Sequence, residues 1–182
     1  MKESDIRRVR KAMEKKLDTK RYEHTLGVAY TASALAMRYK EEPGKALLAG
    51  MLHDCAKCMS NEKRLAVCEK YNIVVNDAEK KNPFLLHAKV GSFWAMKKYG
   101  VHDQDVINAI LNHTTGRPNM SLLEKIVYIA DYIEPGRKQA PNLELIRRLA
   151  FEDLDKALLK ILEDTLEYLQ AGKQVVDPMT QK

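Results

Sequence analysis

Residues 43–58 read PGKALLAGMLHDCAKC, and their composition predicts the central helix of the fold. From Ala46 to about Cys55 the residues are apolar on almost every side of a helix. A surface helix would keep a polar face, so we predict a helix that lies buried at the centre of the molecule. Pro43 suits the first turn of the helix, where its missing N–H costs nothing.

Helical spacing of apolar residues recurs on both sides of this central segment. Apolar stripes and capping residues, with Thr19 as the cap of the second helix, predict helices at about 6–17, 19–35, 60–71, 83–99, 106–113, 121–134, 142–150 and 153–171. Residues 72–82 are polar and predicted to be irregular, and the tail at 173–182 is predicted to be extended. The sequence has no glycine-rich phosphate loop between a strand and a helix. The predicted fold class is therefore an all-α, single-domain helical bundle over 1–182, with its core at about 18–137 and C-terminal helices at 142–171.

Composition narrows the class of protein. A chain of 182 residues with 45% hydrophobic residues suits one globular domain. The formal net charge of +6 favours anionic ligands, without distinguishing a nucleotide from a nucleic acid or a membrane surface. The three cysteines form no disulfide framework, which is typical of a reducing compartment.

Neither end of the chain nor its interior predicts a membrane protein. The first five residues, Met1 to Asp5, are charged and lack the apolar core of a signal peptide. No apolar run approaches the ~20 residues that span a bilayer. We therefore expect a cytoplasmic protein with no membrane partner.

Four of the five histidines fall on apolar faces of separate predicted helices, and two aspartates accompany them. These six candidate metal ligands are His24, His53, Asp54, His87, His113 and Asp131. Neutral imidazole is a good metal ligand, and a carboxylate can bridge two metal ions. The fifth histidine, His102, lies in a predicted turn and is expected to be exposed.

Each candidate also has an ordinary structural interpretation. A His-Asp pair such as His53-Asp54 is common by chance, and one histidine on an apolar face is usually a hydrogen-bonded core residue. Asp131 lies on the apolar face of its helix, where a carboxylate is costly unless a cation or a metal ion pairs with it. An arginine or lysine could be that partner. Six such residues on separate helices are poor core material unless something gathers them, and a gathered set points to hydrolysis of a phosphate ester or anhydride.

The order of these residues resembles the H…HD…D pattern of the HD-domain metal-dependent phosphohydrolases. Flanking residues carry the likeness further, to the YqeK family of bacterial symmetrical bis(5′-nucleosyl)-tetraphosphatases. They are RYEH at 21–24, LHDCAK at 52–57, HTTG at 113–116 and ADYIEPGR at 130–137. The resemblance runs from about Arg21 to Arg137 and has no departure at a ligand position.

The resemblance implies which residues share each of two metal ions. His24, His53, Asp54 and Asp131 would hold the first ion, and His87 and His113 would hold the second with Asp54 shared. Members of the family look like iron enzymes, whereas the ligand chemistry alone also suits manganese, cobalt or zinc. Cys55 and Cys58 lie nearby in sequence but are expected to be packing residues rather than ligands.

Four residues beside the candidate ligands are predicted to bind substrate phosphates: Arg21, Lys57, Thr114 and Arg137. The alternative for a lone lysine or arginine is a surface ion pair, and Thr114 could simply cap a turn. Arg117, in the same loop as Thr114, is a weaker candidate. In the predicted reaction Lys57 and Arg137 stabilise the leaving diphosphate, while Asp131 orients the attacking water and Asp54 bridges the metals.

The predicted function is symmetrical cleavage of diadenosine tetraphosphate and related dinucleoside polyphosphates to two nucleoside diphosphates. One alternative is another HD-type nucleotide phosphatase or cyclic-dinucleotide phosphodiesterase. A second is a non-catalytic nucleotide sensor or a basic nucleic-acid-binding module. The basic residues at 7–16 lack the interleaved aromatic residues of a single-strand platform, so a nucleic-acid partner is not expected. Exposed apolar residues on the last helix would allow a homodimer.

Overall fold

The structure is a computed structural model, and it describes residues 3–172 and 176–181. The part of the chain so described is helical, with no strand. Its helices are α1 (Glu3–Lys16), α2 (Thr19–Tyr39), α3 (Pro43–Leu52), α4 (Asn61–Lys70), α5 (Asp77–Lys81), α6 (Leu86–Tyr99), α7 (Gln104–Asn112), α8 (Leu122–Ile133), α9 (Leu143–Glu152), α10 (Leu154–Ala171) and α11 (Pro178–Gln181). The predicted all-α class is confirmed. None of these helices has the length and apolar character to cross a bilayer.

Helix α3 lies at the centre, as its composition predicts. It contacts α1, α2, α6, α7 and α8, and Ala46, Ala49 and Leu52 are fully buried. The closest approach is to α2 at Gly50, where an added Cβ would lie 2.7 Å from the Cα of Ala29. A glycine is therefore needed at Gly50 for the two helix backbones to pack this closely.

The central helix ends earlier than predicted, at Leu52 rather than near Cys55. Residues 53–58 form successive tight turns, in which the N–H of Cys55 donates to the carbonyl of Leu52 at 3.0 Å and that of Lys57 to Asp54 at 2.9 Å. These bonds span three residues instead of four, so the chain tightens. His53 and Asp54 lie in this tightened segment, where neighbouring side chains can both turn towards one point.

Three local predictions are wrong. Asp18, rather than Thr19, caps α2, because its carboxylate accepts a hydrogen bond from the N–H of Arg21 at 2.8 Å. The segment 72–82 contains α5, which a capping box between Asn76 and Glu79 stabilises. Pro83 opens a 3₁₀ turn, Pro83–Leu85, and α6 begins after it.

The tail also differs from the extended chain that the sequence predicts at 173–182. Residues 173–175 and 182 lie outside the described residues, but Pro178–Gln181 forms the short helix α11. Asp177 is the physical reason: one carboxylate oxygen accepts from the N–H of Met179 at 2.9 Å, and the other accepts from the Asn76 amide at 2.9 Å. The carboxylate thus begins the helix and anchors it beside α5.

Candidate metal centre

Six side chains from α2, the end of α3, α6, the end of α7 and α8 meet in one cluster. They are the six predicted ligands, His24, His53, Asp54, His87, His113 and Asp131. His53, Asp54, His87 and His113 are buried, and the side chains of His24 and Asp131 are only 10% and 22% exposed. The sequence prediction that these residues come together therefore agrees with the geometry.

The four imidazoles all present the same nitrogen to the centre. Their Nδ1 atoms face backbone carbonyls of Gly50, Phe84 and Ile110 at 2.7, 2.6 and 2.7 Å, and the Glu134 carboxylate at 3.1 Å. Each of these partners can only accept a hydrogen bond, so the Nδ1 atom must carry the proton. The Nε2 atoms of neutral rings then point lone pairs inwards, which is how protein metal sites orient histidine ligands.

Asp54 divides the cluster into two halves. Its Oδ2 atom lies 3.4 Å from Nε2 of His53 and 3.9 Å from that of His24. Its Oδ1 atom lies 3.4 Å from Nε2 of His87 and 3.5 Å from that of His113. One carboxylate oxygen thus faces each histidine pair, which is the arrangement expected of a carboxylate that bridges two metal ions.

Asp131 completes the half that contains His24. Its Oδ1 atom lies 3.0 Å from Nε2 of His24 and 3.9 Å from Nε2 of His53. One nitrogen or oxygen atom from each of His24, His53 and Asp131 lies within 4.8 Å of the others, and the same holds for His53, Asp54 and His113. Both sets are imidazole and carboxylate groups, which suit a divalent transition metal.

Some buried polar atoms of the cluster are not satisfied by hydrogen bonds. Nε2 of His24, Nε2 of His53 and Oδ1 of Asp54 have no hydrogen-bond partner among the residues that the structure describes. The Nε2 atoms of His87 and His113 are 3.2 Å apart, although their Nδ1 protons already face carbonyls. The lone pairs of His24 and His53 and a buried carboxylate oxygen without a hydrogen bond are costly, and cations beside them would remove the cost. The residues therefore fit metal ions.

Asp54 and His87 are held in the forms that ligate metals. Burial opposes ionisation of Asp54, but the neighbouring His53 and His113 hold the pKa of its carboxyl well below the ordinary value. Burial, with Lys57 and His113 nearby, lowers the pKa of His87 well below its usual range. An ionised carboxylate and a neutral imidazole are the forms that ligate metals.

The four predicted substrate-binding residues lie at the same cluster. Guanidinium nitrogens of Arg21 and Arg137 lie 2.8 Å from Oδ2 of Asp54 and 2.8 Å from Oδ1 of Asp131 respectively. The ammonium nitrogen of Lys57 is 3.5 Å from Oδ1 of Asp54 and 3.0 Å from Nε2 of His87. The Thr114 hydroxyl is 3.0 Å from the Nε2 atoms of both His87 and His113.

Other candidates lie away from the centre or are already engaged. Both Nε and Nη2 of Arg117 donate to the buried carboxylate of Glu124 at 2.7 Å, so Arg117 holds its loop instead of facing the cluster. His102 is exposed, as predicted. Cys55, Cys58 and Cys68 are free thiols, and burial raises the pKa of Cys55 to about 12, which makes a thiolate ligand there unfavourable.

Glu134 is the functional residue that sequence reasoning missed. Its carboxylate is only 4% exposed and accepts from Nδ1 of His24 and from the N–H of Gly136, at 3.1 and 2.5 Å. An added Cβ at Gly27 would lie 2.5 Å from the same carboxylate, so the glycine makes room for it. The signal in the sequence was a second carboxylate, three residues after Asp131, at the end of an apolar helix.

Comparisons with known proteins agree with this geometry. The family model described as "HD domain" matches residues 21–136. Two relatives are both named symmetrical bis(5′-nucleosyl)-tetraphosphatase. The one from Bacillus subtilis is 41% identical, covering 92% of this chain and 89% of its own. The one from Halalkalibacterium halodurans is 44% identical, covering 88% and 84%.

A solved structure is similar over nearly the whole length. It is a crystal structure from Clostridium acetobutylicum described as a predicted HD superfamily hydrolase involved in NAD metabolism. The two chains share 44% identity and superpose with a TM-score of 0.91, over 95% of this chain and 91% of the other. The arrangement of helices is therefore that of the HD superfamily.

Proposed function

Because the chain belongs to the HD domain family, we propose that it is a metal-dependent hydrolase that cleaves dinucleoside polyphosphates, with diadenosine tetraphosphate as the principal substrate. The cut is symmetrical and releases two nucleoside diphosphates. Relatives that bear the name symmetrical bis(5′-nucleosyl)-tetraphosphatase cover most of this chain at 41% and 44% identity. The single structural observation that carries the proposal is Asp54, whose two oxygens face separate pairs of inward-pointing imidazoles.

Six residues would hold two divalent metal ions. His24, His53 and Asp131 belong to one ion, His87 and His113 to the other, and Asp54 to both. Such ions, when bound, make water more acidic at neutral pH and offset negative charge on phosphate oxygens. We propose iron as the native metal, although the same ligands also accept manganese, cobalt or zinc.

The protein's own groups would position the substrate and balance its charge. Lys57, beside Asp54, and Arg137, beside Asp131, would bind the diphosphate that leaves and stabilise the charge that develops on it. Asp131 is a hydrogen-bond acceptor at the edge of the centre and would orient the attacking water. Arg21 and the Thr114 hydroxyl would donate hydrogen bonds to phosphate oxygens.

The Lys57 ammonium is largely buried beside the cluster. Burial lowers the pKa of the Lys57 ammonium, whereas the nearby carboxylate of Asp54 raises it and opposes that shift. The ammonium also lies 4.4 Å from the centre of the Phe84 ring, a favourable cation–π contact. A partly desolvated cation interacts more strongly with a phosphate than one in bulk water.

Exposed apolar residues and free cysteines support two further proposals, on oligomeric state and on location. Leu159 on α10 is 58% exposed, and the half-buried Leu162 and Leu166 lie on the same side of the helix; we propose this face as the contact of a homodimer. The three cysteines are free thiols, which supports our proposal of a reducing, cytoplasmic location.

A panel of nucleotides tests the proposed function. Protein purified without added metal is assayed against diadenosine tetraphosphate, nucleoside mono- and triphosphates and a cyclic dinucleotide, before and after exhaustive chelation. We expect fastest hydrolysis of the dinucleoside polyphosphate and loss of activity after chelation. Preference for a monophosphate or a cyclic dinucleotide would favour another HD-type hydrolase, and binding without turnover would indicate a sensor. Full activity after chelation would exclude the metal mechanism.

A further inference from the structure

A cavity of about 880 Å³ opens against the half of the centre that contains His24. The beginning of α2 and the chain that follows α8 form its walls, and its lining includes His24, Arg21 and Arg137. Ligand cavities that bind nucleotide-sized molecules are commonly about 300–1,000 Å³. By contrast, a cavity of about 290 Å³ that includes Tyr99 and His102 contains none of the six candidate ligands.

Four cations line the larger cavity, in two adjacent pairs along the chain: Lys20 with Arg21, and Arg137 with Lys138. The two arginines contact the carboxylates of Asp54 and Asp131. The two lysines make no ion pair or hydrogen bond with any residue that the structure describes, and both are exposed. The cavity therefore carries two cations that the fold itself does not use.

Two carboxylates also line the cavity, against its four cations. Glu134 is committed to Nδ1 of His24 and to the backbone of Gly136. Glu23 is exposed at the rim. Because metal ions would offset the charge of Asp54 and Asp131, the paired arginines would retain positive charge for a phosphate ligand. The cavity as a whole then favours an anion that approaches the metal centre.

We propose that this cavity binds one nucleoside diphosphate half of the substrate, and that Lys20 and Lys138 are ligands of its phosphates. The inference rests on the proposed function. A dinucleoside polyphosphate has two nucleoside diphosphate halves, and the ligand cluster has room for only one of them. The reacting phosphorus would lie at the ligand cluster, and the second half must extend beyond it. Arg137 lines the cavity, so this is the half that departs as the diphosphate. The Thr114 hydroxyl, beside His87 and His113, would face the retained half.

The experiment removes the charges of Lys20 and Lys138 and compares this variant with one that loses two lysine charges elsewhere on the surface. The double variant Lys20→Ala/Lys138→Ala is compared with Lys63→Ala/Lys81→Ala, which removes two exposed lysines on α4 and α5 that form no ion pair with the residues the structure describes. Binding of a non-hydrolysable diadenosine tetraphosphate with a methylene bridge at the central position is measured by calorimetry, together with metal content. KM and kcat for diadenosine tetraphosphate are measured in parallel.

We expect the cavity variant to bind the analogue roughly tenfold more weakly, as for the loss of two exposed ion pairs, with unchanged metal content. KM should rise by a similar factor, and the difference should shrink at high ionic strength. Equal binding by wild type and the cavity variant would overturn the inference, as would an equal loss in the two double variants, which would indicate only the overall charge. Wild-type protein that neither binds the analogue nor hydrolyses the substrate would overturn the proposed function itself, and the inference with it.

Discussion

Replacing Glu134 by glutamine tests whether a buried carboxylate sets the orientation of His24. The two oxygens of Glu134 accept one hydrogen bond each, from Nδ1 of His24 and from the N–H of Gly136. Glutamine has the same shape but only one oxygen, so its amide N–H₂ must face one of the two donors. A buried donor left without a partner costs roughly 1–3 kcal/mol.

The effect on metal binding follows from the same contacts. Loss of the hydrogen-bond partner of a metal-ligating histidine typically weakens metal binding by about 10- to 100-fold. That loss corresponds to roughly 1.4–2.8 kcal/mol. We expect it at the ion held by His24, His53 and Asp131, while the ion held by His87 and His113 is retained.

The assay is competition with a chelator of known affinity, followed by metal analysis of the dialysed protein. Glu144→Gln is the control, because Glu144 is exposed and lies at the beginning of α9. Circular dichroism confirms that each variant is folded. Folded Glu134→Gln that keeps two metal ions with wild-type affinity would refute the role assigned to Glu134.

Three other perturbations test separate parts of the structure. Asp54→Ala should lose more metal than His113→Ala, because Asp54 faces both histidine pairs; equal metal content by elemental analysis would argue against a bridge. Gly50→Ala should lower the free energy of unfolding in urea by about 1–2 kcal/mol, because overpacking against Ala29 outweighs the helix propensity gained; unchanged stability would contradict the close approach of α2 and α3. Although burial opposes ionisation of Glu124, Arg117 lowers its pKa below the ordinary 4.5, so its stabilising effect is complete above that pH and is lost as the pH falls through the lowered pKa. Glu124→Gln should therefore be less stable than wild type at pH 7, with a difference that shrinks in acid; a difference independent of pH would refute this.

The fold and the clustering of the six candidate ligands agree with the sequence prediction because both depend on local signals. The continuous apolar character at 46–52 requires burial, and α3 is central. Histidines on apolar faces are unusual enough to identify one another when they occur on several helices. The family resemblance adds the pairing of ligands, which spacing along the chain does not contain.

The sequence alone does not predict contacts between residues that are distant along the chain. Glu134 meets His24 across 110 positions, and only the folded path of the chain after α8 brings them together. Arg117 illustrates the converse case. Its loop position suggested a phosphate ligand, whereas a buried acceptor on α8 engages it.

Short elements were missed for a different reason. Helix α5 has only five residues, too few for a periodic apolar pattern, although the Asn76 and Glu79 spacing of its capping box was present in the sequence. The end of α3 shifted because a tightened turn also satisfies the backbone there. Neither error affected the ligands, since His53 lies at the helix end in both descriptions.

The products of diadenosine tetraphosphate hydrolysis directly test the proposed symmetrical cleavage. The reaction is run in oxygen-18 water with the purified protein. The nucleotides are separated by ion exchange, and their masses are measured by mass spectrometry. If the metal centre meets the second phosphate of one half, ADP is the only product and one of each two ADP molecules carries the label. ATP and AMP as primary products would contradict the account, even if two metal ions are bound.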